Sequence, residues 1–160
     1  DNCKVIFVGS GPAYDDMVKE SKKEIESKKI IYTGFIEWEK VHSFYESSDI
    51  FITASLSEMH SMTILEAELS SLPIVVRRDD SYLDSVFDGE NGYVCASGDV
   101  RAMADRMTEV LNNPQKAESV GKKGRKVYEE FFTFERFVKD FGMVVEHVIA
   151  ENQKRTAIKR

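Results

Sequence analysis

A doubly wound α/β fold, with a mainly parallel sheet and helices on both faces, is predicted from three observations. Short, nearly continuous apolar runs recur at Val5-Ile6-Phe7-Val8, Ile30-Ile31-Tyr32, Ile50-Phe51-Ile52 and Ile74-Val75-Val76. Strands buried on both faces read in this way, whereas half-exposed strands alternate. Segments of helical periodicity separate these runs, and right-handed crossovers turn that alternation into parallel strands with helices above and below. After the last strand the chain reads as helix only, a helical extension of the sheet domain.

In order, Lys4 to Val8 is a β-branched run that stops at Gly9-Ser10-Gly11-Pro12, and a charged helical segment follows to about Lys29. Pro12 fits the first position of that helix. Ile30-Ile31-Tyr32 is the second strand and leads into Thr33-Gly34. Trp38, Val41, Phe44 and Tyr45 then line one side of a short amphipathic helix closed by Asp49. Ile50-Phe51-Ile52 leads into Ala54-Ser55-Leu56-Ser57-Glu58, and Met62 to Leu69 is a helix ended by Ser70-Ser71. Pro73 opens the strand Ile74-Val76. A short helix over Tyr82 to Phe87, a turn over Asp88-Gly89-Glu90-Asn91-Gly92 and a strand Tyr93-Val94-Cys95 come next. Helices are expected at about 98–112, 114–130 and 133–152. The stripe Phe131, Phe134, Phe137, Val138, Phe141, Val144, Val145, Val148 reads as the core face of the last one. With no repeat or linker before residue 152, the expected organisation is one domain over 1–152 and a flexible basic tail over 153–160.

The composition of the 160 residues, 42% apolar and 31% charged, suits one domain with its own core. Cys3 and Cys95 lie far apart in sequence with no metal-ligand spacing near them, which argues against a disulfide scaffold or zinc site and for a reducing, cytoplasmic compartment. Net charge is −6, and Lys154, Arg155, Lys159 and Arg160 mask part of the imbalance. Without those four of the 22 basic residues, 18 face 28 acidic ones, a net of −10. An acidic body argues against bulk binding to nucleic acid or anionic lipid and leaves room for one local anion site. The apolar runs are too short to span a bilayer. A chain that lacks an initiator Met and enters a strand at once reads as part of a longer protein.

Ligands of such sheets bind outside the carboxyl ends of the strands, so the loops at 9–12, 33–37 and 54–61 hold the candidates. Gly9 and Gly11 satisfy two positions of a dinucleotide fingerprint, but Tyr14 stands at the third, which counts against hydride transfer. On its own this loop reads first as an ordinary tight turn and second as one that approaches a ligand. In the third loop, Glu58 precedes a helix and Glu66 lies in its second turn, eight positions on. The amides between them open a helix, where free donors and the dipole attract phosphate. A carboxylate nearby suits a sugar or ribose diol. The competing reading of the same residues is a helix capped by Ser61 with two solvated glutamates.

Ser57-Glu58, seven residues, Glu66-Ala67, then Pro73-Ile74-Val75-Val76, resembles the E-x7-E region of retaining glycosyltransferases of family 4, which have the two-domain GT-B fold. The other landmarks follow in that family's order: Phe7-Val8-Gly9-Ser10-Gly11-Pro12, Tyr32-Thr33-Gly34-Phe35-Ile36, Tyr45 to Asp49 before Ile50-Phe51-Ile52, and Asp88-Gly89-Glu90-Asn91-Gly92-Tyr93. The resemblance implies the Rossmann-like C-terminal half of GT-B, which binds a nucleotide sugar, UDP-linked by expectation. Glu66 would hold the ribose hydroxyls and Glu58, the catalytic candidate, the hydroxyls of the transferred sugar. The backbone at Ser61, Met62 and Thr63 would hold the diphosphate, and Phe35 and Ile36 would frame the base. Transfer would be retaining and by front-face attack, with the donor phosphate helping to deprotonate the acceptor, and with neither metal nor cofactor.

Two departures stand out. Where the family often has glycine, this chain has Met59-His60-Ser61, which puts side chains where backbone meets phosphate and makes His60 a candidate donor. The upstream strand and basic pair of the diphosphate clamp, and the N-terminal acceptor domain, are not in this sequence. The chain alone is therefore expected to be inactive, and the whole protein to act in the cytoplasm or at the inner face of a membrane. Ser81 to Gly89, together with Thr63, resembles enzymes that glucosylate diacylglycerol, with capsular glycan enzymes close rivals. A non-catalytic α/β nucleotide-binding or regulatory module is the alternative of a different class. His42, His147 and the lysines at 22, 23, 28 and 29 read as structural or solvated. Arg77-Arg78 before Asp79-Asp80 reads as a self-neutralising strand end.

Overall fold

The computed structural model describes residues 3–158 apart from Ser57, His60 and Leu83, with side chains described as far as Lys154. The chain divides into two compact units, 1–47 and 48–160.

In the first unit, β1 (Val5–Phe7) pairs in parallel with β2 (Ile30–Tyr32), Val5 opposite Ile30 and Phe7 opposite Tyr32. The connection holds two helices, α1 (Tyr14–Glu20) and α2 (Lys22–Glu26), where the sequence predicts one. The break falls at Ser21, whose backbone leaves helical values and whose hydroxyl bonds the Tyr32 phenol at 3.0 Å. Pro12 is not the first helical residue; it sits in a turn closed by the Tyr14 N–H donating to the Gly11 carbonyl at 3.0 Å. The last helix of this unit is α3 (Trp38–Glu46), which buries Tyr45 and leaves Trp38 exposed, a correction to the predicted apolar side.

In the second unit, β3 (Phe51–Thr53), β4 (Ile74–Arg77) and β5 (Gly92–Cys95) form a parallel sheet in that order, with Ile74 opposite Phe51 and Gly92. The parallel pairing and the helices on both faces are as expected, although the strands fall into two sheets. Ile74, Val75 and Val76 of the central strand are fully buried. Val75 packs with Tyr93, Cys95, Val110 and Val120, and Ile50, Met103 and Ala117 close around them.

Between β3 and β4 runs α4 (Met62–Leu69), on the residues the sequence predicts. The helix expected over Tyr82 to Phe87 is instead a single 3-10 turn, Asp80–Tyr82. The reason is Asn91. Its Oδ1 accepts from the Phe87 N–H at 2.6 Å and its Nδ2 donates to the Ser85 carbonyl at 2.6 Å, taking backbone groups that a helix would pair.

After β5 come α5 (Val100–Leu111) and α6 (Pro114–Phe131), capped by Asp99 and Asn113, and α7 (Phe134–Ile158). Helix α7 runs past residue 152, where the sequence places its end: no Gly or Pro follows Gly142, and Lys154 pairs with Glu151 at 3.0 Å. The stripe from Phe131 to Val148 is exposed throughout, Phe134 at 74%, so it is not the core face the sequence predicts. Periodicity shows that a face is apolar; it does not show that this chain covers it. No helix among the described residues is long and apolar enough to cross a membrane.

Helix α6 fixes α4. A Cβ on Gly121 would lie 1.9 Å from the Ser71 carbonyl oxygen, so only glycine permits this approach. Ser71 itself takes a left-handed φ of 57° to end α4, and the Arg125 Nη1 donates to the Leu69 carbonyl at 2.5 Å, satisfying an orphan acceptor of the α4 end.

Candidate functional site

The loop that leaves β3 and enters α4 carries most of the candidates. Its start is tied down by the Ser55 N–H, which donates to Thr53 Oγ1 at 3.3 Å. Ser61 precedes the helix in an extended conformation, and no side-chain cap bond forms there. The Ser61 hydroxyl, buried, bonds the Thr63 hydroxyl at 2.9 Å, while its carbonyl accepts from the Ile64 N–H at 3.1 Å. The capping role offered for Ser61 is thus not taken up.

The amides of Met62 and Thr63 belong to the first turn and have no intrahelical acceptor. Met62 and Thr63 are exposed and Glu66 is half-buried, on the side of α4 opposite to Ile64, Ala67 and Glu68. Spacings of three and four residues put Met62, Thr63 and Glu66 on one helix face. Glu58 is half-buried ahead of the helix, and its charge reaches Tyr82. Burial first, and the Glu58 carboxylate next, hold the Tyr82 phenol above its ordinary value, against a pull from Thr53. Met59 is 98% exposed and makes no wall. Ser57 and His60 lie outside the described residues.

The remaining candidates belong to the first unit. Gly9 and Gly34 both take positive φ, 123° and 68°, and the Gly9 N–H donates to the Gly34 carbonyl at 3.1 Å, joining the exits of β1 and β2. An open pocket of about 300 Å³ lies at these exits, lined among others by Phe7, Gly9, Gly11, Tyr14, Met17 and Tyr32. Phe7 stacks on Tyr32 at 4.8 Å, and the Tyr14 ring meets Tyr32 edge-on at 5.8 Å. Tyr14, which breaks the dinucleotide pattern, thus serves as a packing residue. Phe35 is exposed and Ile36 half-buried just beyond Gly34.

Residues the sequence did not single out surround α4. Glu68 is completely buried and accepts from Asn91 Nδ2 at 3.1 Å, while its second oxygen has no partner among the described residues. Burial, helped by the charge of Asp84 and opposed by the Asn91 bond, pushes the Glu68 carboxyl up to about 8. It therefore holds its proton near neutrality. Arg77, read as half of a neutralised pair, also reaches back to this loop: its Nε and Nη2 donate to the Ser55 carbonyl at 2.8 and 2.5 Å. Neither contact has a local sequence signal, because the partners lie more than twenty residues apart.

Residues 1–127 match the family model of glycosyl transferases group 1. Over 93 residues the chain is 40% identical to the alpha-monoglucosyldiacylglycerol synthase of Acholeplasma laidlawii, covering 57% of this chain and 23% of that protein. In structure it resembles sucrose-phosphate synthase from Thermosynechococcus elongatus, with TM-score 0.82, 19% identity, and coverage of 92% of this chain and 39% of the other. It also resembles Anabaena HepE in complex with UDP, with TM-score 0.80, 18% identity, and coverage of 91% and 41%. At such identities the structural likeness concerns the fold. The chain spans about a quarter of the curated relative and about two fifths of these solved chains.

Proposed function

The chain belongs to the glycosyl transferases of group 1, and from that premise we propose that it is the nucleotide-sugar-binding half of a retaining enzyme that moves a hexosyl group from a UDP-sugar to a hydroxyl of a lipid or glycan acceptor. The observation that carries this reading is the placement of Glu58 and Glu66 on either side of the open first turn of α4. A helix start offers donors to a diphosphate, and a carboxylate one turn inside it accepts from a diol.

In this reading the amides at Ser61, Met62 and Thr63 bind the diphosphate, Glu66 accepts from the ribose hydroxyls, and Glu58 accepts from hydroxyls of the sugar. The acceptor oxygen bonds the anomeric carbon as the bond from that carbon to the phosphate oxygen breaks. The acceptor proton passes to the departing diphosphate on the same face. No protein base is required, so positioning and stabilisation of the leaving group supply the catalysis. HepE was crystallised with UDP, and the relative from Acholeplasma is by name a glycolipid synthase; both support a UDP-sugar donor and a lipid or glycan acceptor. An N-terminal acceptor domain completes the cleft in the whole protein, which works in the cytoplasm or at the inner membrane face.

Calorimetric titration with UDP, UDP-glucose, GDP-mannose and NAD tests the donor assignment. Binding of UDP and UDP-glucose is expected and NAD should give no heat; a chain that binds none of the four is a module without donor chemistry. Labelled UDP-glucose with diacylglycerol in detergent should give no product, and robust turnover would show that this chain holds an acceptor site of its own.

A further inference from the structure

Arg77 ends β4, and one planar guanidinium there meets the exits of all three strands of its sheet. Nε and Nη2 donate to the Ser55 carbonyl just after β3, Nη1 donates to Ser97 Oγ just after β5 at 3.2 Å, and Nη2 also meets Asp79 Oδ2, on its own segment, at 3.2 Å. The Arg77 side chain is only 14% exposed. A surface ion pair with Asp79 alone would not draw the guanidinium inward against a backbone carbonyl. Two donors on one acceptor fix both distance and plane, which the single nitrogen of a lysine cannot do.

The segment that starts with Arg77 is itself ordered by Asp79. Asp79 Oδ1 accepts from the Ser81 N–H at 3.1 Å and the Ser81 hydroxyl at 2.8 Å, which sets the turn Asp80–Tyr82. That turn buries Tyr82, which feels the charge of Glu58. The stretch 77–82 therefore holds the loop through the Ser55 carbonyl, three residues ahead of Glu58. Resting on the reading of Glu58 as a sugar contact, we propose that Arg77 is a positioning residue of the donor site, clamping the loop after β3 through Ser55 so that Glu58 is in place before the sugar arrives. Such preorganisation removes the ordering cost from the binding step.

Amide hydrogen exchange and calorimetry on the 160-residue chain test this. In Arg77→Met, exchange at Ala54, Ser55, Leu56 and Glu58 should quicken tenfold or more, with α4 and β5 unchanged. UDP-glucose affinity should fall about tenfold while UDP affinity changes less than twofold. Arg77→Lys should fall between, and adding Glu58→Gln to Arg77→Met should cost nothing further, since Arg77 is proposed to act on the sugar only through Glu58. If Arg77→Met does not fold, Ser97→Ala, which removes only the Nη1 acceptor, should quicken the same four amides to a smaller degree. Unchanged loop exchange in these variants overturns the proposal, as do equal losses for UDP and UDP-glucose or additivity with Glu58→Gln. If the unaltered chain binds neither ligand, the donor reading fails, and the exchange experiment alone decides whether Arg77 holds the loop.

Discussion

Helices α4 and α7 both carry apolar faces, and the structure treats them in opposite ways. Eight-residue α4 buries Ile64, Leu65 and Ala67, whereas along α7 the rings of Phe134, Phe137 and Phe141 follow one another at 6.4 and 5.6 Å and stay exposed. The difference lies in the neighbours. Helix α4 has a sheet beside it and a glycine on α6 that lets backbone come against its end; α7 has apolar side chains with nothing described over them. An apolar stripe is thus a demand for a partner, and close backbone approach is the sign that the demand is met.

Matched glycines break this comparison most sharply. Gly121→Ala puts a methyl into the Ser71 carbonyl and should destabilise the fold by about 3 kcal/mol in urea unfolding, the upper part of the usual range for overpacking. The next largest effect concerns Glu66, half-buried on the outer face of α4. Glu66→Ala should weaken UDP binding by about 1.5 to 3 kcal/mol, as for hydrogen bonds to charged groups, with the melting temperature unchanged. Unaltered affinity in a folded variant removes Glu66 from the site.

On the inner face, Glu68 sets a pH dependence. Its carboxyl rises from 4.5 to about 8 on folding, so between those values the folded chain holds a proton that the unfolded chain has released. Its contribution to stability therefore falls as pH climbs through that window and levels off above it. Glu68→Gln keeps an acceptor for Asn91 and should flatten this slope, with the largest gain near pH 8; denaturant curves at pH 5, 6.5 and 8 would show it. The smallest effect belongs to α7. A Cβ on Gly142 meets nothing within 4 Å, so Gly142→Ala should stabilise by about 0.5 to 1 kcal/mol through helix propensity. A loss instead would mean that this face is already covered in solution.

Local signals suffice where the answer is local. Met62 to Leu69 and the buried run Ile74 to Val76 could be read from the sequence, because a small-residue N-terminus, a Ser-Ser stop and a β-branched run act within a few residues of themselves. Glu58 and Glu66 could be placed around the start of a helix for the same reason. Spacing carries no information about the other side of a contact. Asn91, read as a turn residue, replaces a predicted helix by capturing Ser85 and Phe87, and its hold on Glu68 spans 23 positions. Arg77 looked neutralised by its sequence neighbours, whereas its main acceptor is a carbonyl 22 residues earlier. The stripe on α7 was assigned to the core because the pattern of a buried face and that of an uncovered one are identical.

The two cysteines give the central sheet a chemical clock. Cys95 is sealed beside Val75 and its thiol is pushed up by burial, while Cys3 is exposed and free. A maleimide should therefore label the folded chain once and quickly, and a second time only when β5 leaves the sheet, since the thiolate is the nucleophile and a buried thiol reaches neither reagent nor base. The rate of that second labelling, followed by intact mass, counts the openings of the sheet under native conditions. Slowing of this rate by UDP would report, without any assay of transfer, that a ligand held at the edge of β3 and α4 is felt at the other side of the sheet.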